Sequence, residues 1–492
     1  MARVKSRDTA PEKLLRRALR KAGLRFRACD PNLPGKPDFV LPSRRLAIFV
    51  DGDFWHGRQW QTRKHTSLEG QFTHSKSRDY WLGKIRRNIA RDMANTSALL
   101  DKGWKVARFW ETDVNRDPDQ CLSVLAIETP ASSLALLPQR TVAEFFAGIG
   151  LMRYAFERQG WRVVYANDID PKKAEMYSAH FGDSFHLSDV HRIDPASVPP
   201  ASIATASFPC TDLSLAGGRR GLSGKHSSAF WGFLNILENM ERRPPLVLIE
   251  NVPGFLTSNY GRDLHTALTG INRLGYSVDI FTLDATHFVP QSRKRLFLIG
   301  QPQGPRDGDR TPAIQRIIDK HPDIQWTVRR LPQPPELTTN LASILDPEAE
   351  WWNQDRSAYL LSQMMGSHRA AAEEAIRKRR WTYGTVFRRV RDGRTVAELR
   401  TDGIAGCLRT PRGGSARQIL VKAGYDRYQC RLLSPRECAR LMGADEFRIE
   451  VPANQALFGF GDAVCVPAIE WIITHYLMPL CNELIRGRVL IR

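Results

Sequence analysis

Three shortages narrow the class of this 492-residue chain. Its eight cysteines are scattered singly, with no Cys-x-x-Cys pair. That spacing argues against a disulfide framework and against a structural zinc built on paired thiolates. No unbroken apolar run approaches the roughly 20 residues that span a bilayer, and MARVKSRDTAPEKLL lacks the apolar core of a secretory signal. A cytoplasmic protein with no membrane partner is the expectation. Acids are the third shortage, with 52 Asp and Glu against 72 Lys and Arg, a formal charge of +20. No internal repeat is present, which excludes a solenoid.

The basic excess is clustered, in RRALRK, GGRRG, VPQSRKR, EAIRKRR and FRRVR. Any one run reads most simply as a solvated face; five in one chain favour a polyanionic partner, nucleic acid first. With 42% hydrophobic and 25% charged residues the composition is globular, and the length suits two to four domains.

Residues 11–24 carry helically spaced leucines between Pro11 and Gly23. LPGKPDFVLP and RRLAIFVDGDF read as strands, RDYWLGKIRRNIARDMANTSALLDKG as a long polar helix, and WKVARFWE as another strand. An α/β domain over 1–128 and a linker over 129–140 are expected. Strands and helices then alternate from TVAEFFAGIG onward, the grammar of a doubly wound parallel sheet. From about 306 to 429 the chain is Pro-rich, basic and without clean period, and 430–492 returns to amphipathic helices.

FFAGIG places Gly148 and Gly150 between a strand and a helix, a backbone nest for a nucleotide-like ligand, although such turns also serve plain packing. About twenty residues on, YANDID sets Asp168 where it could accept from ribose hydroxyls. ASFPC ends a strand at Cys210, which reads as core filler or, before a glycine-rich basic loop, as a nucleophile. LVLIENV adds Glu250 and VPQSRKR adds Arg293 and Arg295 at further strand ends.

FAGIG, FPC, ENV, QSRKR, SPRECARLMG and GDAV, in this order, resemble the motif series of DNA cytosine-5 methyltransferases over about 141–305 and 430–492. The resemblance implies a Rossmann-like sheet, S-adenosylmethionine as cofactor and double-stranded DNA as partner. It implies Cys210 as the thiolate that attacks carbon 6 of a flipped cytosine. Glu250 would hold or protonate ring nitrogen 3, and Arg295, supported by Arg293, the exocyclic oxygen. Phe146, Ile149, Asp168, Ile169, Asp189 and Pro209 would surround the cofactor, and the 306–429 insert would be the target-recognition domain. Two positions depart from the pattern: Thr211 follows the cysteine where glutamine is frequent, and Asp462 stands where asparagine is usual.

FVDGDFWHG, at 49–57, brings Asp51, Asp53 and His56 close to Asp38 of LPGKPDFV. Acids on adjacent strands can share a magnesium ion, and a histidine beside them can deprotonate water. Taken singly, each is equally a strand-end acid or a packed histidine. In order, RDTAPEKLL, LPGKPDFV, IFVDGDFWHG, YWLGKIRRNIARD and GWKVARFWE resemble the very-short-patch repair (Vsr) endonucleases, over about 6–115. The resemblance implies a restriction-endonuclease-like fold and nicking beside the thymine of a T·G mismatch. It makes Asp38 and the Val50 carbonyl ligands of Mg2+, His56 the general base and Glu12 a supporting acid. Asp51 replaces a histidine of better-known members and could join the metal shell. Asp53, Arg58 and Thr112 stand at positions matching their zinc ligands, so no zinc is expected. Phe54 and Trp55 are assigned to the core, while Trp60 could also wedge into DNA.

The expectation is a bifunctional enzyme, monomeric on DNA. Its rivals are a restriction–modification fusion, a non-catalytic DNA-binding first domain, and RNA as the methylation substrate.

Overall fold

The computed structural model describes residues 8–489 apart from 22–23, 43–44, 64, 66, 74, 76, 103, 120, 123–130, 183–184, 209–227, 392 and 411–416. The chain divides into two compact units, Met1–Glu128 and Thr129–Arg492.

The first unit opens with the helix Ala10–Lys21. Its N-terminus is closed reciprocally: the Glu12 carboxylate accepts from the Asp8 N–H at 2.9 Å and the Thr9 hydroxyl at 2.8 Å, while the Glu12 N–H reaches Thr9 Oγ1. Leu15, Ala18 and Leu19 of this helix pack on Phe39, Leu41 and Ile48. Those residues belong to a sheet of β1 (Arg27–Ala28), β2 (Phe39–Leu41), β3 (Leu46–Asp51) and β4 (Lys105–Trp110), in that order. The first three strands are antiparallel and β3 pairs with β4 in parallel. The long helix Arg78–Asp101 lies between β3 and β4 and supplies the crossover that a parallel pair requires.

The second unit centres on seven strands: β5 (Thr141–Phe145), β6 (Arg162–Asp168), β7 (His186–Leu187), β8 (Ile203–Ala206), β9 (Leu246–Asn251), β10 (Ser277–Asp284) and β11 (Lys294–Gln301). Their order is β10-β11-β9-β8-β5-β6-β7. Successive side chains go to opposite faces. Val142, Ile203, Leu246 and Leu248 join one core with Phe156, Tyr177 and Phe460. Ala143, Phe145, Val247 and Ile249 join the other with Phe233, Leu268 and Ile271.

Two expectations are corrected here. The sheet is not wholly parallel, because β11 runs antiparallel to both β9 and β10. Its first residues therefore lie at the carboxyl ends of the parallel strands, which is what brings the QSRKR arginines to the same edge as Glu250. The 306–429 stretch is not irregular either. β12 (Thr382–Arg391), β13 (Arg394–Arg400), β14 (Ile419–Gly424) and β15 (Arg427–Leu432) form an antiparallel sheet in the order β13-β12-β14-β15. The helices Gln354–Ser362 and Gly366–Arg377 cover it, burying Leu360 and Ala372 on Val386, Leu399 and Val421. Its arginines masked the period in the sequence because Arg388 and Arg389 follow one another on opposite faces of β12.

One run, Ala453–Ile485, is long and apolar enough to cross a membrane by length and composition, with 67% of its window buried. Its Phe460, Ile469, Ile472, Tyr476 and Leu480 are core residues of the second unit.

Candidate active sites

Strand order in the second unit reverses between β5 and β8, the place where open α/β sheets bind ligands at strand carboxyl ends. The chain leaves β5 through Phe146, Gly148 and Gly150, all at positive φ. A side chain at Gly150 would lie 2.5 Å from the Phe181 ring, whereas one at Gly148 would meet nothing, so Gly148 leaves the backbone open. Asp168 fixes this turn. Its carboxylate accepts from the N–H groups of Gly148 at 2.9 Å, Ile169 at 2.7 Å and Asp170 at 3.0 Å. Those bonds use most of its lone pairs, so its first task is to tie the glycine turn to the end of β6. Beside it the apolar Ile169 is 64% exposed, and Ile149 is buried beneath the turn. Asp189 caps the short turn Val190–Arg192 by accepting from the His191 N–H at 3.0 Å. Asp462 ends the helix Ala453–Asp462 and pairs with Lys173 Nζ at 2.7 Å.

Glu250 lies near the end of β9 and is buried. Arg295 Nε meets its Oε1 at 2.9 Å. Burial drives the Glu250 carboxyl above the ordinary carboxylate range, although Arg295 and Arg293 pull the other way. Arg293 is 3% exposed and its guanidinium is spent on the fold. It donates to the carbonyls of Leu408 at 2.9 Å, Gly461 at 3.1 Å and Ala463 at 2.5 Å. It thus joins the start of β11 to two distant segments, while Arg295 faces Glu250. Pro209 and Cys210 lie outside the described residues; the described chain stops at Phe208, whose carbonyl accepts from Asn251 Nδ2 at 3.3 Å.

In the first unit Asp38 sits just before β2, and its Oδ2 accepts from the Val50 N–H at 2.7 Å. Its carboxyl is pushed up to about 6, by burial first and then by the charges of Glu12 and Asp51. Asp51 is clamped by Arg108, with Nε and a terminal nitrogen each 2.7 Å from its two oxygens. His56 Nδ1 lies 2.5 Å from Asp92 Oδ2 and 3.5 Å from Asp51 Oδ1. Arg108 reaches Asp92 as well, at 3.4 Å. Burial raises the Asp92 carboxyl, but the hydrogen bond and charge of His56, with Arg108 and Arg91, carry it below the ordinary range.

Asp53 is buried and both its oxygens accept from the Thr112 hydroxyl, at 2.9 and 2.8 Å. Its carbonyl accepts from the N–H groups of Arg58 and Gln59, and Arg58 pairs with Asp113 at 2.5 Å. These residues satisfy one another. Phe54 stacks edge-on with Trp55, Phe72 and Trp81.

Residues 140–477 match the family model of the C-5 cytosine-specific DNA methylases. The chain belongs to this family. It is 30% identical over 338 residues to the type II methyltransferase M.DsaV of Dactylococcopsis salina, covering 68% of this chain and 85% of that one. Residues 1–62 match the DNA mismatch endonuclease Vsr model. The type II nicking enzyme V.NmeDIP of Neisseria meningitidis serogroup C is 43% identical over 117 residues, 24% of this chain and 74% of its own length. V.XorIIP of Xanthomonas oryzae, also a type II nicking enzyme, is 44% identical over 115 residues, 23% of this chain and 79% of its own length. The methylase therefore carries a Vsr-type endonuclease domain at its N-terminus, and both parts are enzymes acting on DNA. C-5 methylases use S-adenosylmethionine.

Four residues near the methylase and Vsr centres escaped the sequence reading. Asp92 ends the motif YWLGKIRRNIARD, but it is 36 positions from His56 and only the fold joins them. Arg108 is one of many arginines until β4 sets it beside Asp51. Glu144 is an acid inside the apolar strand β5, a visible oddity; burial pushes its carboxyl up to about 8 while Arg153 opposes. Cys407 lies 3.4 Å from Arg293; burial raises its thiol, yet Arg293, Arg295 and Arg409 carry it below the ordinary value.

Proposed function

We propose that the methylase unit transfers a methyl group to carbon 5 of a cytosine rotated out of a DNA duplex, and that the Vsr unit nicks DNA beside the thymine of a T·G mismatch. The first half rests on the buried Glu250–Arg295 pair. The Cys210 thiolate adds to carbon 6 of the ring, and Glu250, whose raised pKa lets it hold a proton, takes up the charge at ring nitrogen 3. Arg295 holds the exocyclic oxygen and keeps Glu250 in place; Arg293 positions Arg295 by locking the start of β11. S-adenosylmethionine would supply the electrophilic methyl group to carbon 5, after which loss of the carbon-5 proton expels the Cys210 thiolate from carbon 6 and restores the ring. Gly148 opens the backbone to it and Gly150 lets the turn pack on Phe181, while Phe146, Ile149, Asp168, Ile169, Asp189 and Pro209 line its site. Asp462, paired with Lys173, adds a carboxylate to the cofactor side of the unit. The sheet β12–β15 and the arginine-rich loops around it, within 306–429, read the DNA sequence as the monomer binds.

The second half rests on the His56–Asp92 contact next to Asp38. Mg2+ fits here by the chemistry of the site: a buried carboxylate, crowded by the charges of Glu12 and Asp51 and only partly offset by Arg108, gains from a further cation. Asp38 and the Val50 carbonyl would hold it, and bound there it would supply the charge that makes a water acidic enough to attack the phosphodiester. His56 takes the proton of the attacking water, and Asp92 holds its imidazole by the far nitrogen. Asp51, with both oxygens on Arg108, steadies that arginine and His56, and would be a metal ligand only by giving up part of that contact. Glu12 closes its helix and adds negative charge near Asp38. Together the two activities would make a modified base and repair the mismatch that its deamination leaves.

A T·G duplex in the methylated sequence context is the test. Nicking 5′ to the thymine with magnesium supports the proposal. Double-strand cutting of unmodified duplex alone would assign the unit to restriction, and no cleavage at all would leave a binding module. Bisulfite sequencing of host DNA with and without the protein identifies the target, and labelled DNA against tRNA separates the nucleic acids.

A further inference from the structure

Away from both centres, His265, His321 and Asp323 bring two imidazoles and a carboxylate together, with all ligand atoms within 4.8 Å of one another. We propose that they form a site for a borderline divalent transition ion of the zinc class.

The three residues come from two elements whose backbones are already fixed. His265 is in the first turns of the helix Arg262–Arg273. His321 caps the C-terminus of the helix Pro312–Lys320, and Asp323 follows two residues on. The chain after Asp323 is docked firmly. The Ile324 N–H and Trp326 Nε1 both donate to the His321 carbonyl, at 3.2 and 2.8 Å, and Ile324 and Trp326 are buried. Residues 325–327 then run along β10 through the Val278–Gln325 and Thr327–Val278 backbone bonds. Asn272, two turns along the helix from His265, completes the junction by accepting from the Gln325 N–H at 2.8 Å. Buried apolar contacts and hydrogen bonds thus set the relative position of the ligands before any ion binds, the condition for a metal site to be preorganised.

Within the cluster His265 Nε2 is 2.6 Å from Asp323 Oδ2, and the two imidazole rings lie 4.6 Å apart at 31°. Zinc bonded at about 2.0–2.1 Å to nitrogen and oxygen spaces tetrahedral ligands by roughly 3.3 Å. Side-chain rotation alone spans the difference. Two nitrogens and one oxygen favour zinc, cobalt, nickel or copper over magnesium or calcium, which prefer all-oxygen shells. Three protein ligands leave one position to water. A bound ion would clamp the helix Arg262–Arg273, which follows β9 and the Glu250 segment, to the strand-like run beside β10. Its effect is therefore on rigidity and thermal stability rather than on turnover.

The experiment uses the full chain, stripped with EDTA and carrying Asp38→Asn so that the endonuclease site takes no part. Titration with Co2+, followed by its visible absorption, and with Zn2+, by calorimetry, should give one equivalent bound. The melting temperature should rise by roughly 3 °C with Zn2+ and not with Mg2+. His265→Ala and His321→Ala should each weaken Zn2+ binding at least ~30-fold and remove the thermal shift, and Asp323→Asn should weaken it ~10-fold. Metal-free melting curves of the variants report whether they fold. Because each His variant also loses a local contact, His321→Gln is run beside His321→Ala. Absence of an equivalent of Zn2+, or binding that persists unchanged in His265→Ala and His321→Ala, overturns the site and leaves a plain Asp–His ion pair.

Discussion

Glu250 and Asp92 are both carboxylates within reach of an arginine, yet their acidities move in opposite directions. Arg295 touches Glu250 and Arg108 reaches Asp92, so the cation is common to both. Depth separates them. Glu250 is enclosed in the sheet of the methylase unit, and loss of water outweighs the arginines. Asp92, on the outer helix of the Vsr unit, keeps some solvent and gains His56 as a second partner, so charge outweighs burial. One arrangement yields an acid able to carry a proton, the other a standing anion that can orient an imidazole. Counting partners without weighing burial would have predicted the same sign for both.

Removing one centre at a time tests their independence most strongly. Cys210→Ser is expected to lower methyl transfer from labelled S-adenosylmethionine by at least ~10^4-fold with nicking intact. Asp38→Ala should lower magnesium-dependent nicking at least ~10^3-fold with methyl transfer intact. Loss of both activities from either change would mean that the centres are not separate. The comparison of acids is sharpened next. Glu250→Gln should slow methyl transfer by roughly 10^2-fold or more, since it removes the proton carrier. Asp92→Asn should slow single-turnover nicking by about 10^2-fold while the unit stays folded, through loss of imidazole orientation.

The pH dependence of stability gives a smaller effect with a definite sign. Asp38 and Glu144 both have raised pKa values, so the folded state holds their protons more tightly than the unfolded state. Stability therefore falls as pH rises, from 3.8 to about 6 for Asp38 and from 4.5 to about 8 for Glu144. In metal-free protein Asp38→Asn should stabilise the Vsr unit by roughly 1–3 kcal/mol at pH 7.5 and by little at pH 4. Glu144→Gln should flatten the same slope in the methylase unit, with its full gain above pH 8. Thermal melts across pH 4–9 read both, and added Mg2+ should erase the Asp38→Asn advantage. The smallest expected effect is Thr112→Val, which strips the hydroxyl from buried Asp53 and should cost the Vsr unit about 1 kcal/mol without touching methyl transfer.

Much of the architecture was legible in the residues. Alternating apolar strands and helices announced the β5–β9 sheet, and leucine spacing after Pro11 announced the first helix. The reversed direction of β11 was not legible, because a buried antiparallel strand such as KRLFLIGQ has the same apolar run as a parallel one. The sheet β12–β15 was hidden for another reason: Arg388 and Arg389 occupy both faces of β12 and break the apparent period.

For the sites, the sequence by itself determined which chemical groups are available: the glycine turn, Asp168, Glu250, the QSRKR arginines, Asp38 and His56. Local spacing fixes such groups because each sits at a strand end or turn with its own sequence signature. Only the tertiary structure decided what those groups touch. It spent Arg293 on backbone carbonyls, gave Asp51 to Arg108, paired Asp462 with Lys173, and set Asp92 on His56. The reason is physical. Hydrogen-bond partners and burial depend on chain segments dozens to hundreds of residues apart, and these, rather than residue type, set the charge that each group carries.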